Sequence, residues 1–296
     1  MISELRRFIP HPSALIPLLA LIAFSQCTPQ RSVVIGSKNF TESVILGELL
    51  AQKLEAAGCK ADRRLNLGGT LVCDAAIRAG SLDAYVEYSG TALTAILHKP
   101  LLKSRDDVTR TVAEAYAQRG LHWGPNLGFN DTFAMIVRKN SGLKTISDLK
   151  KAQLQPGFGY EFVERPDGWK GLLQHYDLHV AKPPKTMDLG LTYKALAAGQ
   201  VDLIAGNSTD GLIESLGLVA LDDDRHYFPP YDAAVVYRND LDPKCRAALE
   251  SLAGTIDDAT MRRLNYEVDG RKRRVEEVVR EFLGVKASFL GRSHTR

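Results

Sequence analysis

Few residues in this 296-residue chain are spaced for bond-making chemistry. His175 and His179 stand four apart, the interval at which two imidazoles on one helix face share a metal ion. No H-E-x-x-H pattern accompanies them, and Asp177-Leu178 reads as the end of a helix. Gly206-Asn207-Ser208-Thr209-Asp210 begins like the G-x-S-x-G turn that presents a nucleophilic serine, and fails at its fifth position. There is no phosphate-binding loop and no G-x-G-x-x-G. An enzymatic reading would rest on Asp210 or His226, without a nucleophile–base pair to support it. The run Arg271-Lys272-Arg273-Arg274 precedes Glu276 and Glu277 and reads as a solvated helix face with internal ion pairs. Asp222-Asp223-Asp224 reads as a loop. The residue types therefore imply no catalytic centre, no resident metal and no cofactor; they suit a receptor better than an enzyme.

The elements that would carry these residues alternate. Val33–Ser37 reads as a buried strand, and Thr41–Ala57 as a helix with apolar residues near a 3.6-residue period, stopped by Gly58. Lys60–Leu67 reads as a strand, Thr70–Ala79 as a helix, Leu82–Glu87 as a strand and 105–119 as a helix. Thr132–Arg138 is a further strand, followed by a polar, Pro/Gly-punctuated stretch to about 168. Three helices close the chain, at Pro243–Leu252, Asp257–Tyr266 and Lys272–Leu283. Alternating strands and helices of this kind indicate an α/β fold. The 77–91 segment, IRAGSLDAYVEYSGT, is echoed 119 residues later by LAAGQVDLIAGNSTD. Gly80 matches Gly199, Asp83 matches Asp202, and Tyr88 matches Asn207. An echo at that distance predicts two lobes of related topology, and the loops 88–91 and 207–211 then become the lips of a cleft between them. Composition agrees: 45% hydrophobic, 25% charged and a net charge of +3 are ordinary globular values. They supply no strongly basic face for nucleic acid.

The first 27 residues differ in character. Arg6 and Arg7 precede the apolar run Ala14–Phe24, too short to span a bilayer at about 20 residues, so 1–27 reads as an export signal. Cleavage after Ser25 and acylation of Cys27 as a lipid anchor are the competing outcomes, with the anchor preferred. No later stretch is apolar enough to span a membrane, so the membrane would be met only through that lipid. After Cys27, three cysteines remain. Cys59–Cys73 closing a short loop is one reading; free buried thiols is the preferred one. Their spacing is not that of a zinc site.

The loop motifs carry a resemblance. Gly36-Ser37-Lys38-Asn39-Phe40-Thr41-Glu42, Tyr85-Val86-Glu87-Tyr88-Ser89-Gly90-Thr91, Arg165-Pro166-Asp167-Gly168, Leu191-Thr192-Tyr193, Ser208-Thr209-Asp210-Gly211, Phe228-Pro229-Pro230-Tyr231 and Asn265-Tyr266-Glu267-Val268-Asp269-Gly270 follow in order. Over about residues 33–283 the chain resembles the substrate-binding proteins of ABC importers for glycine betaine, choline, carnitine or proline betaine. The resemblance implies a two-lobed α/β fold of the type II periplasmic-binding-protein kind, hinged, with the ligand cleft between the lobes. One discontinuous lobe would hold 28–130 and 233–296, the other 131–232. It implies a receptor in the periplasm or on the outer face of the cytoplasmic membrane, serving a permease and an ATPase in osmoprotective import. A quaternary ammonium has no N–H to donate, so such ligands sit against aromatic faces. By the likeness, Tyr88, Phe133 and Tyr231 occupy cage positions and Asn207 takes the place of a fourth aromatic ring. Lys38, Thr91 and Arg165 match carboxylate-binding positions. Trp169 is a candidate replacement wall. Asn207 also opens a second reading, in which the ligand is a different zwitterion or an amino-acid derivative; a sensory module is a further alternative.

Overall fold

Val33–Lys38 (β1) is buried along almost its whole length, as a strand covered by helices on both faces must be. The computed structural model describes residues 31–284; the predicted signal 1–27 and Cys27 lie outside the described residues. After β1 come Thr41–Ala56 (α1), Ala61–Gly68 (β2), Thr70–Arg78 (α2), Ala84–Tyr88 (β3), Ser89–Thr91 (α3), which runs on as one wider turn to Ile96, Arg105–Ala117 (α4) and Leu121–Asn130 (β4). Next are Phe133–Arg138 (β5), Pro156–Gly159 (β6), Tyr160–Glu164 (α5), Trp169–Tyr176 (α6), Lys185–Met187 (β7), Leu189–Ala197 (α7), Leu203–Asn207 (β8), Gly211–Ser215 (α8) and Leu218–Ala220 (β9). Asp232–Arg238 (β10), Pro243–Glu250 (α9), Asp258–Asp269 (α10) and Val275–Phe282 (α11) complete the described chain.

Two five-stranded sheets result, in the orders β2-β1-β3-β10-β4 and β7-β6-β8-β5-β9. In the first, β1 runs parallel to β2 and β3, while β10 is antiparallel to β3 and β4. The second repeats the plan: β6 is parallel to β7 and β8, and β5 is antiparallel to β8 and β9. The chain crosses between Asn130 and Phe133 and returns between Ala220 and Asp232. Period-two alternation feeds both faces of each sheet. Val235 packs with Ile35, Leu46 and Val86, and its neighbour Val236 with Tyr85, Ile77 and Val112. Met135 packs with Phe158 and Leu203, and Ile136 with Leu196 and Ile204.

The 119-residue echo has a structural meaning. β3 and β8 hold the same place in their sheets. Asp83 accepts a hydrogen bond from the Val34 amide at 2.8 Å, and Asp202 accepts one from the Gln155 amide at 3.0 Å. Each aspartate thus pins the start of the neighbouring strand, and an arginine braces it: Arg31 lies 2.8 Å from Asp83, and Arg138 lies 2.6 Å from Asp202.

Several expectations are corrected. Cys59 does not reach Cys73; it forms a disulfide with Cys245, 186 residues away, and Cys73 is the buried free thiol. The helix that follows β10 brings Cys245 beside the end of α1, a juxtaposition that no local spacing reveals. The expected loop from 139 to 168 contains β6 and α5. Pro156-Gly157-Phe158-Gly159 has poor strand propensity, and pairing with β7 and β8 overrides it. A side chain on Gly157 would meet Val201 at 2.6 Å, which explains the glycine. α6 ends at Tyr176 with Asp177 in the left-handed conformation (φ 52°), so His179 leaves the helix face of His175. Among the described residues no group of three or more His, Cys, Asp or Glu is placed for a metal ion. The basic run is ion-paired, Arg271 with Glu267, Arg273 with Glu267 and Glu281, and Arg274 with Glu276, but it is not the expected helix face: it lies between α10 and α11, which begins only at Val275.

Candidate functional site

Loops at the C-terminal ends of parallel strands converge where the two sheets face each other, the place at which open α/β sheets bind ligands. β1 ends in Lys38 and β3 in Tyr88, followed at once by Thr91. β8 ends in Asn207, directly across the ladder from Phe133, which opens β5. Arg165 leaves α5 and Tyr231 enters β10. All seven residues line one cavity of about 680 Å³.

The aromatic rings interlock. Phe133 meets Tyr231 edge-on at 5.3 Å between centroids, Phe162 at 5.1 Å and Phe228 at 5.7 Å. Phe40 lies 6.2 Å from Tyr88. Each phenol is tethered to an acid: Tyr88 donates to Glu42 Oε1 at 2.7 Å, and Tyr231 donates to Asp167 Oδ2 at 2.6 Å. Trp169 is not a wall; it packs on Phe158 at 4.8 Å in the second-sheet core.

The two cations are already matched. Lys38 Nζ pairs with Glu87 and lies 4.9 Å from the Tyr88 ring centroid. The Arg165 guanidinium grips both oxygens of Asp167, at 2.9 and 2.5 Å, lies 4.9 Å from the Phe133 centroid and reaches Thr91 Oγ1 at 3.2 Å. Burial pushes against the charge of both Arg165 and Asp167. Their mutual attraction outweighs it, raising the arginine's pKa and lowering the aspartate's. The arginine's contact to Thr91 joins residues carried by different sheets.

Buried acids surround this shell. Burial raises the pKa of Glu42 and Glu87, and raises that of Asp131 well above the usual carboxylate range, with Glu42 adding to it. Asp210 is pushed up to about 7 by burial, although Tyr193 Oη and the Asn207 amide donate to its Oδ2 at 2.5 and 2.8 Å. None of these acids stood among the expected ligand-binding residues; Asp210 is named only for the enzymatic reading. Apart from Asp131, each nonetheless sits inside a quoted motif: Glu42 after Thr41, Glu87 before Tyr88, Asp167 two after Arg165, Asp210 after Thr209. Asp131 lies outside those motifs, two residues before the cage residue Phe133. For Glu87 and Asp167, an acid within two residues of an expected phenol or cation was the available signal.

Gly90 shows how tightly the cage is set. A methyl group there would lie 2.7 Å from the Pro230 carbonyl oxygen and 2.7 Å from the Tyr231 ring. Gly90→Ala is expected to cost about 1–3 kcal/mol by overpacking, read as a lowered melting temperature.

The family model for the substrate-binding domain of ABC-type glycine betaine transport systems matches residues 31–284. The carnitine transport binding protein of Listeria monocytogenes is 32% identical over 276 residues, covering 88% of this chain and 89% of that protein. The ergothioneine transport permease/ergothioneine binding protein of Helicobacter pylori is 33% identical over 265 residues, covering 86% of this chain; the chain spans only 47% of that longer protein. A crystal structure of a glycine betaine/carnitine/choline ABC transporter protein superposes with a TM-score of 0.70 at 30% identity, over 86% of this chain and 98% of that one. The two-sheet α/β plan, the cleft that joins the sheets and these matches lead to one conclusion: the chain belongs to the family of substrate-binding domains of ABC-type glycine betaine transport systems.

Proposed function

We propose that the cavity holds the quaternary ammonium of a compatible solute such as glycine betaine, choline or carnitine. Tyr88, Phe133 and Tyr231 form the aromatic walls, Asn207 the polar fourth side, and Lys38, Thr91 and Arg165 meet the ligand carboxylate. As a member of its family the chain is a substrate-binding receptor, working with permease and ATPase components, and not an enzyme. The observation that carries the ligand reading is the convergence of all seven residues on one cavity. Lys38 and Arg165 are already paired with the buried Glu87 and Asp167, so a ligand carboxylate shares donors with those acids rather than meeting bare cations. In our reading residues 28–130 and 233–296 form one moving lobe and 131–232 the other, and ligand favours the closed form because only that form makes both sets of contacts. We also read 1–27 as the export signal and Cys27 as the lipid anchor.

A second reading has a specific observation behind it. Asn207 stands beside Phe133, and the Asp210 carboxyl borders the same cavity. A cavity of about 680 Å³ sits within the range of drug-sized ligands and exceeds what a small betaine fills. A betaine extended by a polar ring suits that edge, and the Helicobacter relative is named for ergothioneine, a ligand of this kind. Calorimetry with glycine betaine, choline, carnitine, ergothioneine and arginine tests both readings. Heat with a quaternary ammonium compound supports the proposal, and its absence across all four removes the ligand class. Asn207→Tyr is expected to tighten glycine betaine binding about 2–30-fold by restoring one cation–π contact and to weaken ergothioneine. If both affinities stay unchanged, Asn207 does not set the choice.

A further inference from the structure

We infer that Asp131 is a positioning residue that works as the neutral acid, donating to Thr209 and so bolting the two sheets together over the cleft. The argument is a count of protons. Thr209 follows β8 in the second sheet, whereas Glu42 lies on α1, packed against the first. The Thr209 hydroxyl oxygen lies 2.5 Å from Glu42 Oε2 and 2.6 Å from Asp131 Oδ1. A hydroxyl has one proton to give, and an ionised carboxylate has none. Two ionised carboxylates at these distances would leave one oxygen pair facing each other without a proton between them. One of the acids therefore supplies it.

The surroundings identify which. Glu42 is ringed by donors: Tyr88 Oη at 2.7 Å, Asn265 Nδ2 at 2.9 Å and the Thr209 hydroxyl. Asn265 Nδ2 also donates to the Thr209 carbonyl at 2.8 Å, so its amide is oriented by two acceptors. Glu42 thus receives donors that offset the burial raising its own pKa, and of the pair it is Asp131, with a relative exposure of 5%, that carries the proton. The order is Asp131 to Thr209 to Glu42, with Tyr88, a cage residue, held by the same Glu42. The other titratable groups acting on Asp131 favour its neutral form. Asp210 beyond β8 adds negative charge, Asp269 on α10 acts on Asp210, and the phenols of Tyr88 and Tyr193 stay protonated. Lys38 is held by Glu87. Burial, then Glu42, raises the Asp131 pKa well above its usual value.

The sign follows. The bolted form keeps a proton that a solvated aspartate loses near pH 3.9. Its advantage is full in acid and declines by up to tenfold per pH unit as pH rises towards the folded-state pKa. Asp131→Asn replaces the O–H donor with an N–H donor that does not titrate.

Two measurements on the full chain test this without any ligand. In carboxyl-carbon NMR of aspartate-labelled protein, the Asp131 signal is the one that vanishes in Asp131→Asn. It is expected to ionise more than one pH unit above 3.9, whereas a midpoint within one unit of 3.9 overturns the inference. In thermal unfolding from pH 5 to 8, Asp131→Asn is expected to gain stability relative to the natural protein as pH rises, while Asp131→Ala stays below Asp131→Asn throughout. A constant difference between Asp131→Asn and the natural protein overturns it. Asp210→Asn, measured in parallel, separates the titration of that neighbour; if its loss alone removes the pH slope, the slope belongs to Asp210 and the inference falls.

Discussion

Replacing Tyr231 with alanine is expected to weaken the binding of a quaternary ammonium ligand about 100-fold. Three losses combine. The ligand loses a cation–π wall at roughly 0.5–2 kcal/mol, and Phe133 loses its edge-on neighbour at roughly 0.5–1.5 kcal/mol. Asp167 loses a 2.6 Å hydrogen bond from the phenol, at about 1.5–3 kcal/mol for a bond to a charged group. That aspartate orients Arg165, so the damage reaches the carboxylate end of the ligand as well. Tyr231→Phe keeps the ring and loses only the tether, and its affinity is expected to fall by less, about 10-fold at the lower figure for that bond. Calorimetry on the three proteins, with circular dichroism to establish folding, reads the difference. Equal losses in Tyr231→Ala and Tyr231→Phe would show that the phenol's bond to Asp167, and not the ring face, is what matters.

Breaking the Cys59–Cys245 bridge is expected to lower stability by about 3–5 kcal/mol, because it closes a loop of 186 residues in the unfolded chain. For a chain of this size that corresponds to a fall in melting temperature of roughly 10 °C. The bridge joins the end of α1 to α9, an early and a late part of the chain that share the first sheet's core. The second sheet contributes nothing to it, so the loss should fall on the first sheet and its helices. Cys245→Ser, and the natural protein under reductant, should show the same shift in thermal unfolding. Cys73→Ser should not reproduce it. A melting temperature indifferent to reductant would mean that the two thiols are not joined.

Some of this was legible in the sequence because it is local. The Asp83 and Asp202 echo repeats one strand-starting device, and one device at two sites 119 residues apart is visible to the eye. Tyr88, Phe133, Arg165, Asn207 and Tyr231 could be placed because each stands at the edge of an element, where short loop motifs keep their order. What depends on long-range proximity was not legible. Cys59 and Cys245 become neighbours only after β10 re-enters the first sheet. Pro156–Gly159 becomes a strand only through its neighbours. Trp169, close to Arg165 in sequence, turns into the second-sheet core because α6 buries that face. The buried acids escaped notice for another reason. Glu42 and Asp131 carry no local mark of burial, and Asp210 enters only as a candidate for an enzymatic reading; once the fold encloses them, their partners and protonation states acquire meaning.

The reading as a whole turns on where a permanent positive charge sits. A crystal structure of the protein grown with the tightest-binding quaternary ammonium compound tests it most directly. The account predicts the ammonium nitrogen between the rings of Tyr88, Phe133 and Tyr231, with the carboxylate turned towards Lys38, Thr91 and Arg165. A ligand seated elsewhere, or one whose ammonium meets none of these three rings, would contradict it.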